Sequence, residues 1–375
     1  MSLHLGIIGL PNVGKTLLFN AMTKAGAESA SHFGAKKANI GIVNVPDSRL
    51  LDLSKIVHPE KIVPATVEFV DIAGLGHGSP HRSEGDPKGK PQAQSTAFLS
   101  DIRDADALIH VVRCFEDDNV FHVNTSVDPA RDIETIRLEL ILADLESLER
   151  RKLKLAPMIK GRDKAAQREN DLLDTLSQAF YDGKTAAQVS LTPEDIQFLK
   201  KNISFLTWKP VIYVANISEA SLARPTEHPY CRQVFDAAAH EHAEALAICA
   251  GLESDLATFT EQERKEYLSE LGVEKTDLDR LIQRAFDLLG LMTFFTAGPK
   301  EVRAWTIRKD TKAPQAAGVI HSDIERGFIK ADVITYDHYM AYGGEKGAKE
   351  KGLFRLEGKE YIMRDGDIVN FRFNV

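Results

Sequence analysis

The chain has 375 residues, a hydrophobic fraction of 43%, a charged fraction of 27% and a formal net charge of −8. That length suits two or three domains of ordinary globular composition, and the acidic balance excludes a globally basic nucleic-acid-binding protein, so any such contact is a local patch. No apolar run reaches the ~18 residues of a membrane span, and the cysteines, Cys114, Cys231 and Cys249, are too far apart for a CxxC pair and suit a reduced, cytoplasmic setting.

The N-terminus enters a strand at once, leaving no room for a signal peptide. Residues 3–8 (LHLGII) read as a short buried strand and residues 17–23 (LLFNAMT) as a helix start. Between them, Gly9-Leu10-Pro11-Asn12-Val13-Gly14-Lys15-Thr16 fits G-x-x-x-x-G-K-[ST], the phosphate-binding P-loop. Glycines at 9 and 14 let the backbone turn tightly and approach an anion. The loop N–H groups and the helix N-terminus then face the phosphates. Lys15 supplies a point charge for the β- and γ-phosphates, and the Thr16 hydroxyl suits Mg2+. Asn12 has two readings, a ligand for K+ or an asparagine tolerating a left-handed turn.

Residues 26–38 form a polar, small-residue loop in the position of a switch segment. A strand over 39–45, a short helix over 48–56 and a strand over 65–71 follow. The last opens Asp71-Ile72-Ala73-Gly74, a D-x-x-G signature. An Asp ending a parallel strand can reach Mg2+ through water, and the Gly74 amide can face a γ-phosphate. Residues 76–94 are rich in Gly, Pro and charge, long for a plain connection, and expected to be a functional loop. A helix over 95–104 leads to residues 107–115 (ALIHVVRCF), a strand of the kind buried on both faces.

Residues 129–202 change character. Leucines at 138, 142, 145 and 148, with charges between them, make an amphipathic or coiled-coil stripe. Residues 157–163 (PMIKGRD) break it, and a second helix over 164–181 completes a helical hairpin inserted into the first domain. The strand 210–215 returns to the sheet, placing Asn216-Ile217-Ser218-Glu219 where a base-reading loop belongs. A helix over 230–244, a strand over 245–250 and a charged helical stretch to 290 follow. From Met292, short alternating strands mark a separate β-rich domain with Trp305 in its core. The expected division is therefore 1–128 with 203–290 for nucleotide binding, 129–202 for the hairpin, and 292–375.

GLPNVGK, NVPDSRL, DIAGL, HVVRCFEDDNV, VDPARDIETI and PVIYVANISE together resemble the nucleotide domain of the YchF family, the Obg-like ATPases of the P-loop GTPase superclass. The stretch TFFTAGPKEVRAWTIRKDTKAPQAAGVIHSDIERGFIKADVI resembles the family's TGS domain, a ubiquitin-like β-grasp module. The resemblance spans essentially the whole chain. It implies an α/β P-loop NTPase sheet with an inserted helical hairpin and a C-terminal β-grasp domain. It also implies cytosolic, Mg2+-dependent ATP hydrolysis and association with ribosomes or translation factors. On matching positions it puts Asn12, Val13, Gly14, Lys15, Thr16 and the adjoining Leu17 at the phosphates, and Ile217 with its neighbours Asn216 and Glu219 at the adenine. Lys15 is then the catalytic charge, and Thr16 and Asp71 are the metal side chains.

Two stretches depart from the family pattern. Aligning on Phe33 and Asn39 puts Ala35 where the family carries its switch Thr, and Ala cannot ligate a metal. After DIAGL a longer Pro- and Lys-containing run replaces a compact Gly-rich loop. Leu75 stands where Ras-like proteins carry the Gln that orients water, and it can do neither acid–base chemistry nor hydrogen bonding. His77 and His81 are nearby alternatives, read as solvated loop histidines. The guanine-reading N-K-x-D is here N-I-S-E, whose Glu should lose the bidentate fit to guanine. The expectation is slow ATP hydrolysis coupled to docking on the translation machinery. A nucleotide-sensing RNA or protein adaptor with negligible turnover, and a GTPase, are the alternatives. Between 150 and 168 lie Arg150, Arg151, Lys152, Lys154, Lys160, Arg162, Lys164 and Arg168 against the single acid Asp163. This run falls at the hairpin tip, where it can engage phosphate backbones by counterion release. Arg303, Arg308, Lys309 and Lys312 in the TGS domain form a second basic group. The chain is taken as a monomer with no membrane partner.

Overall fold

The computed structural model describes residues 3–25, 39–73, 92–270 and 275–374. The chain folds as two compact units, residues 1–41 with 68–278, and 42–67 with 279–375. The sequence-based division kept 42–67 with the nucleotide-binding domain and set the hairpin apart. In the structure the hairpin belongs to the first unit, and 42–67 is an excursion into the second.

The first unit is built on a sheet of β1 (His4–Ile8), β2 (Asn39–Asn44), β4 (Thr66–Asp71), β5 (Ala107–Arg113), β6 (Val211–Asn216) and β7 (Glu244–Ile248), preceded in the chain between β2 and β4 by the short β3 (Lys61–Val63). The order is β2-β4-β1-β5-β6-β7, parallel from β4 to β7. Every position of β5 is buried, as its unbroken apolar run requires. Strand order reverses beside β1, so a crevice opens at the carboxyl end of β1, where α/β sheets bind ligands. Helix α1 (Lys15–Ala25) starts there. The other helices before the hairpin are α2 (Ser48–Val57) and α3 (Gln92–Asp104).

The hairpin consists of α4 (Pro129–Lys160) and α5 (Lys164–Tyr181), followed by α6 (Pro193–Lys200). Asp128 caps α4 by accepting from Arg131 N, with Pro129 at the first helical position. The helix has 32 residues, about 48 Å of reach. It runs through Pro157 rather than breaking there. The carbonyl this proline cannot bond belongs to Leu153, a residue that is 75% exposed. The turn comes at Gly161 and Arg162, the latter at φ 63°. Asp163 then caps α5, accepting from Ala165 N and Ala166 N. The apolar stripe matches the expected one in part: Leu148 is in the seam and Leu145 packs against it. Leu138 and Leu142 are exposed, while Ile141, Leu148 and Leu155, seven residues apart, pack against Leu173, Leu176, Phe180 and Phe205.

Between Ile141 and Leu148 the buried face of α4 carries Asp144, 1% exposed. Its carboxylate accepts from Leu206 N at 2.7 Å, Thr207 N at 2.8 Å and the Thr207 hydroxyl at 2.7 Å. Burial nevertheless pushes its pKa up to about 6. Because the folded value lies above the unfolded one, the folded state binds the extra proton. Asp144 therefore supports stability most below pH ~4 and loses that support as pH rises through about 6. Asp144→Ala would orphan three buried donors and is expected to destabilise by about 3 kcal/mol, read as a lower midpoint in urea unfolding.

The second unit holds β8 (Leu291–Ala297), β9 (Glu301–Arg308), β10 (Phe328–Thr335), β11 (Arg355–Glu357) and β12 (Asp367–Phe373) in the order β11-β10-β12-β8-β9-β3. Its core gathers Phe294, Ala316, Val333 and Phe371, with Trp305 packed against them. Trp305 stacks on Phe294 and carries the Arg303 guanidinium 4.1 Å from its centroid. The edge strand β3 pairs with β9 in parallel, Lys61 opposite Glu301. α2, which precedes β3 in the chain, belongs to this unit as well. Arg49 holds Asp47 at 2.8 Å and Asp365 at 2.6 Å above the Phe295 ring, and Tyr336 donates to Asp52 at 3.0 Å.

Candidate nucleotide-binding site

The P-loop conformation follows from its residue types. Gly9 and Gly14 sit at φ 149° and 98°. A Cβ on Gly9 would lie 2.4 Å from the Val111 carbonyl oxygen, and one on Gly14 would lie 2.3 Å from Asn216 Nδ2, so neither position admits a side chain. Asn12 adopts φ 61°, the left-handed turn that asparagine tolerates, and its Nδ2 donates to Phe121 O at 3.1 Å.

Lys15 is buried and folds back on its own loop, donating to Gly9 O at 3.1 Å and Leu10 O at 2.8 Å. Burial pulls its pKa down to about 8, against the attraction of Asp71. Across from Ile8 on β5 lies His110, whose pKa falls to about 3 through burial and the nearby lysine. The wall behind Lys15 is therefore neutral. Thr16 donates to Asp71 Oδ2 at 2.9 Å, because the register of β4 against β1 sets Asp71 beside Ile7. A hydroxyl and a carboxylate side by side suit a hard divalent cation that keeps waters and phosphate oxygens as its other ligands. Val13 is buried, and Leu17 is 41% exposed on the first turn of α1.

The structure therefore brings Val13, Gly14, Lys15, Thr16, Asp71 and Asn216 together. Asn216 is a staple: Nδ2 donates to Val13 O at 2.8 Å, and Oδ1 accepts from Ala250 N at 3.0 Å. It joins the P-loop to the first residue of α8 (Ala250–Leu256). Ile217 can meet a base only through its main chain. Its side chain is 2% exposed in the core, and its N–H is committed to Ile248 O at 2.9 Å. Glu219 is exposed, at the start of the 3-10 turn Glu219–Ser221. Gly74, Leu75, His77, His81 and Ala35 lie outside the described residues.

Two groups escaped the sequence reading. Ala250 gives no signal beyond following a strand. Arg113 could have been noticed as the one charge in an apolar strand. It is 2% exposed and donates to the carbonyls of Phe115, Asp117 and Val120, shaping the loop that carries Phe121 to Asn12. The next residue, His122, is buried against Asp132 of α4 at 2.9 Å. Among the described residues no cluster of three His, Cys, Asp or Glu could hold a metal by itself.

Comparison with known proteins bears on the whole chain. A family model for the C-terminal domain of YchF GTPases, described as a protein of unknown function, matches residues 291–374. A model described as a 50S ribosome-binding GTPase matches residues 4–144. The ribosome-binding ATPase YchF of Bacillus subtilis is 50% identical over the full length of both chains. That of Escherichia coli O157:H7 is 46% identical, again over the full length of both. The structure of the Schizosaccharomyces pombe YchF GTPase superposes with a TM-score of 0.86 at 33% identity, over 99% of this chain and 98% of that one. With identity of this level running unbroken from the P-loop to the C-terminal sheet, the chain belongs to the YchF family.

Proposed function

We propose that the chain is a slow, Mg2+-dependent ATPase that associates with ribosomes and uses nucleotide state to control that association. The observation that carries the reading is the convergence of Lys15, Thr16 and Asp71 at the carboxyl end of β1. Binding would draw the Lys15 ammonium from the Gly9 and Leu10 carbonyls to the β- and γ-phosphates. Thr16 and Asp71 would share the Mg2+ ion, which neutralises charge developing on the phosphates. Asn12 Oδ1, turned from Phe121, is the group a K+ ion would use. Turnover is slow because Leu75 offers nothing to orient the attacking water.

Base choice is supported by the end of β6. With the Ile217 N–H consumed by Ile248, what remains there is the Ile217 carbonyl followed by the Ser218 N–H. Adenine presents a 6-amino donor and an N1 acceptor to such a pair, whereas guanine presents the reverse, O6 and N1–H. Calorimetric titration is expected to show ATP binding at least about tenfold tighter than GTP. Tighter binding of GTP would return the chain to the GTPase reading. The names of its relatives, ribosome-binding ATPases, support the partner, and the basic turn of the hairpin supplies a surface for it. Pelleting with ribosomes in ATP, ADP and no nucleotide tests the switch.

A further inference from the structure

The hairpin returns to the sheet through a short segment pinned from both sides. Leu206–Trp208 forms a 3-10 turn. From α4, Asp144 accepts both turn amides and the Thr207 hydroxyl. From the turn, Lys209 reaches α3, its ammonium donating to Arg103 O at 3.1 Å and to Ala105 O. These carbonyls belong to the C-terminal end of α3, where a helix leaves acceptors unpaired and presents the negative end of its dipole. Burial holds the Lys209 pKa below its ordinary value, while Asp106, Asp104 and Asp144 draw it up. A lysine half-buried to serve two main-chain carbonyls gains nothing that a solvated lysine would need, so its use here is local and specific.

What it joins gives the contact its meaning. α3 is the helix that follows the D-x-x-G segment in the chain, and in nucleotide switches that segment is ordered by γ-phosphate and Mg2+ contacts and released on hydrolysis. α4 carries the basic turn, about 24 Å along the helix from Asp144 to Lys160. We infer that Leu206–Trp208 with Lys209 is the coupling element between the nucleotide site and the hairpin, Lys209 acting as a positioning residue that ties the C-terminus of α3 to α4 through Thr207 and Asp144. This rests on the reading of the P-loop as an ATP site and of the hairpin as the docking arm. A displacement of α3 on nucleotide exchange then shifts α4 at its middle, at Asp144. By reciprocity, a partner seated on the hairpin changes nucleotide affinity by the same factor.

The segment contains its own reporter. Trp208 packs on Phe205 at 4.9 Å and donates to Ala186 O at 3.1 Å, and the chain's other tryptophan is Trp305. In Trp305→Phe protein, emission therefore reports Trp208 alone. A non-hydrolysable ATP analogue and ADP are expected to give different Trp208 emission. Lys209→Met is expected to abolish that difference with nucleotide affinity retained, Lys209→Arg to restore it, and Asp144→Asn, acting from the α4 side, to reduce it. In pelleting with salt-washed ribosomes, Lys209→Met should bind equally in both nucleotides. Identical emission in the two nucleotides, or a difference that survives Lys209→Met undiminished, overturns the coupling. Absence of ribosome pelleting alongside an intact, Lys209-dependent Trp208 response upholds the coupling and removes only the docking partner.

Discussion

Lys15→Ala is expected to lower ATP turnover by about 10²–10³-fold, with weakened nucleotide binding. Phosphoryl transfer depends on charge placed where the γ-phosphate develops it, and in the proposed reading Lys15 is the cation that supplies it. The wild-type protein carries a second signature of the same group. Burial lowers the Lys15 pKa to about 8. Bound phosphates favour the ammonium, so nucleotide binding above that pH takes up a proton. Affinity should therefore hold constant below pH 8 and decline as pH rises beyond it, by up to about tenfold per unit. Calorimetry in buffers of different ionisation enthalpy measures the proton uptake directly. Turnover that survived Lys15→Ala would mean that hydrolysis does not run through this loop.

Charge reversal at the hairpin turn is expected to be nearly as severe for ribosome association. The structure divides the basic run into two classes. Arg151 forms a two-bond pair with the buried Glu169 at 2.6 and 2.8 Å, Lys152 holds Asp174 at 2.6 Å, and Arg168 holds Asp195 at 2.6 Å. The first two join α4 to α5, and the third joins α5 to α6. Lys154, Lys160, Arg162 and Lys164 have no ion pair among the described residues, and the same stretch of chain carries the exposed Leu153 and Met158. Replacing these four by Glu should cut ribosome co-sedimentation by about a hundredfold or more and flatten its salt dependence by about three to four units of log–log slope. ATP affinity should not change, because the turn lies about 48 Å of helix from the α4 N-terminus. Replacing Arg151 would instead orphan Glu169 and unsettle the hairpin. Undiminished co-sedimentation of the four-Glu variant would move the contact to Arg303, Arg308 and Lys309 of the second unit.

What the sequence made legible is what is local. The P-loop and the strand end that carries Asp71 hold their chemistry within a few residues, and the long parallel strands follow from unbroken apolar runs. What it hid is set by partners far along the chain. The partners of Arg151, Lys152 and Arg168 stand on other helices, so eight equal charges in the sequence become three structural ones and five without an ion pair among the described residues. Leu138 and Leu142 fit the expected spacing, but the seam of α4 is chosen by Leu173 and Phe180 on the opposing helix. Asn216 was read as a base contact. Its position at a strand end was legible, but its two bonds to Val13 and Ala250 were not, because neither partner is marked by residue type. β3 is three residues long, too short for any alternation to show.

That short strand bears on how the protein is made. Lys61 meets Glu301 about 240 residues further along the chain. During synthesis at ~5–20 residues per second, 42–67 waits roughly 12–50 s for its sheet to emerge. Throughout that interval α2 shows Leu50 and Leu53, at most 4% exposed in the finished fold, to whatever is nearby. The nascent chain thus holds a sticky interior excursion open inside an otherwise completed first half, a natural client for a chaperone. For the same reason the C-terminal half is not a cassette: a single cut near residue 290 would strand its first helix and edge strand in the other piece.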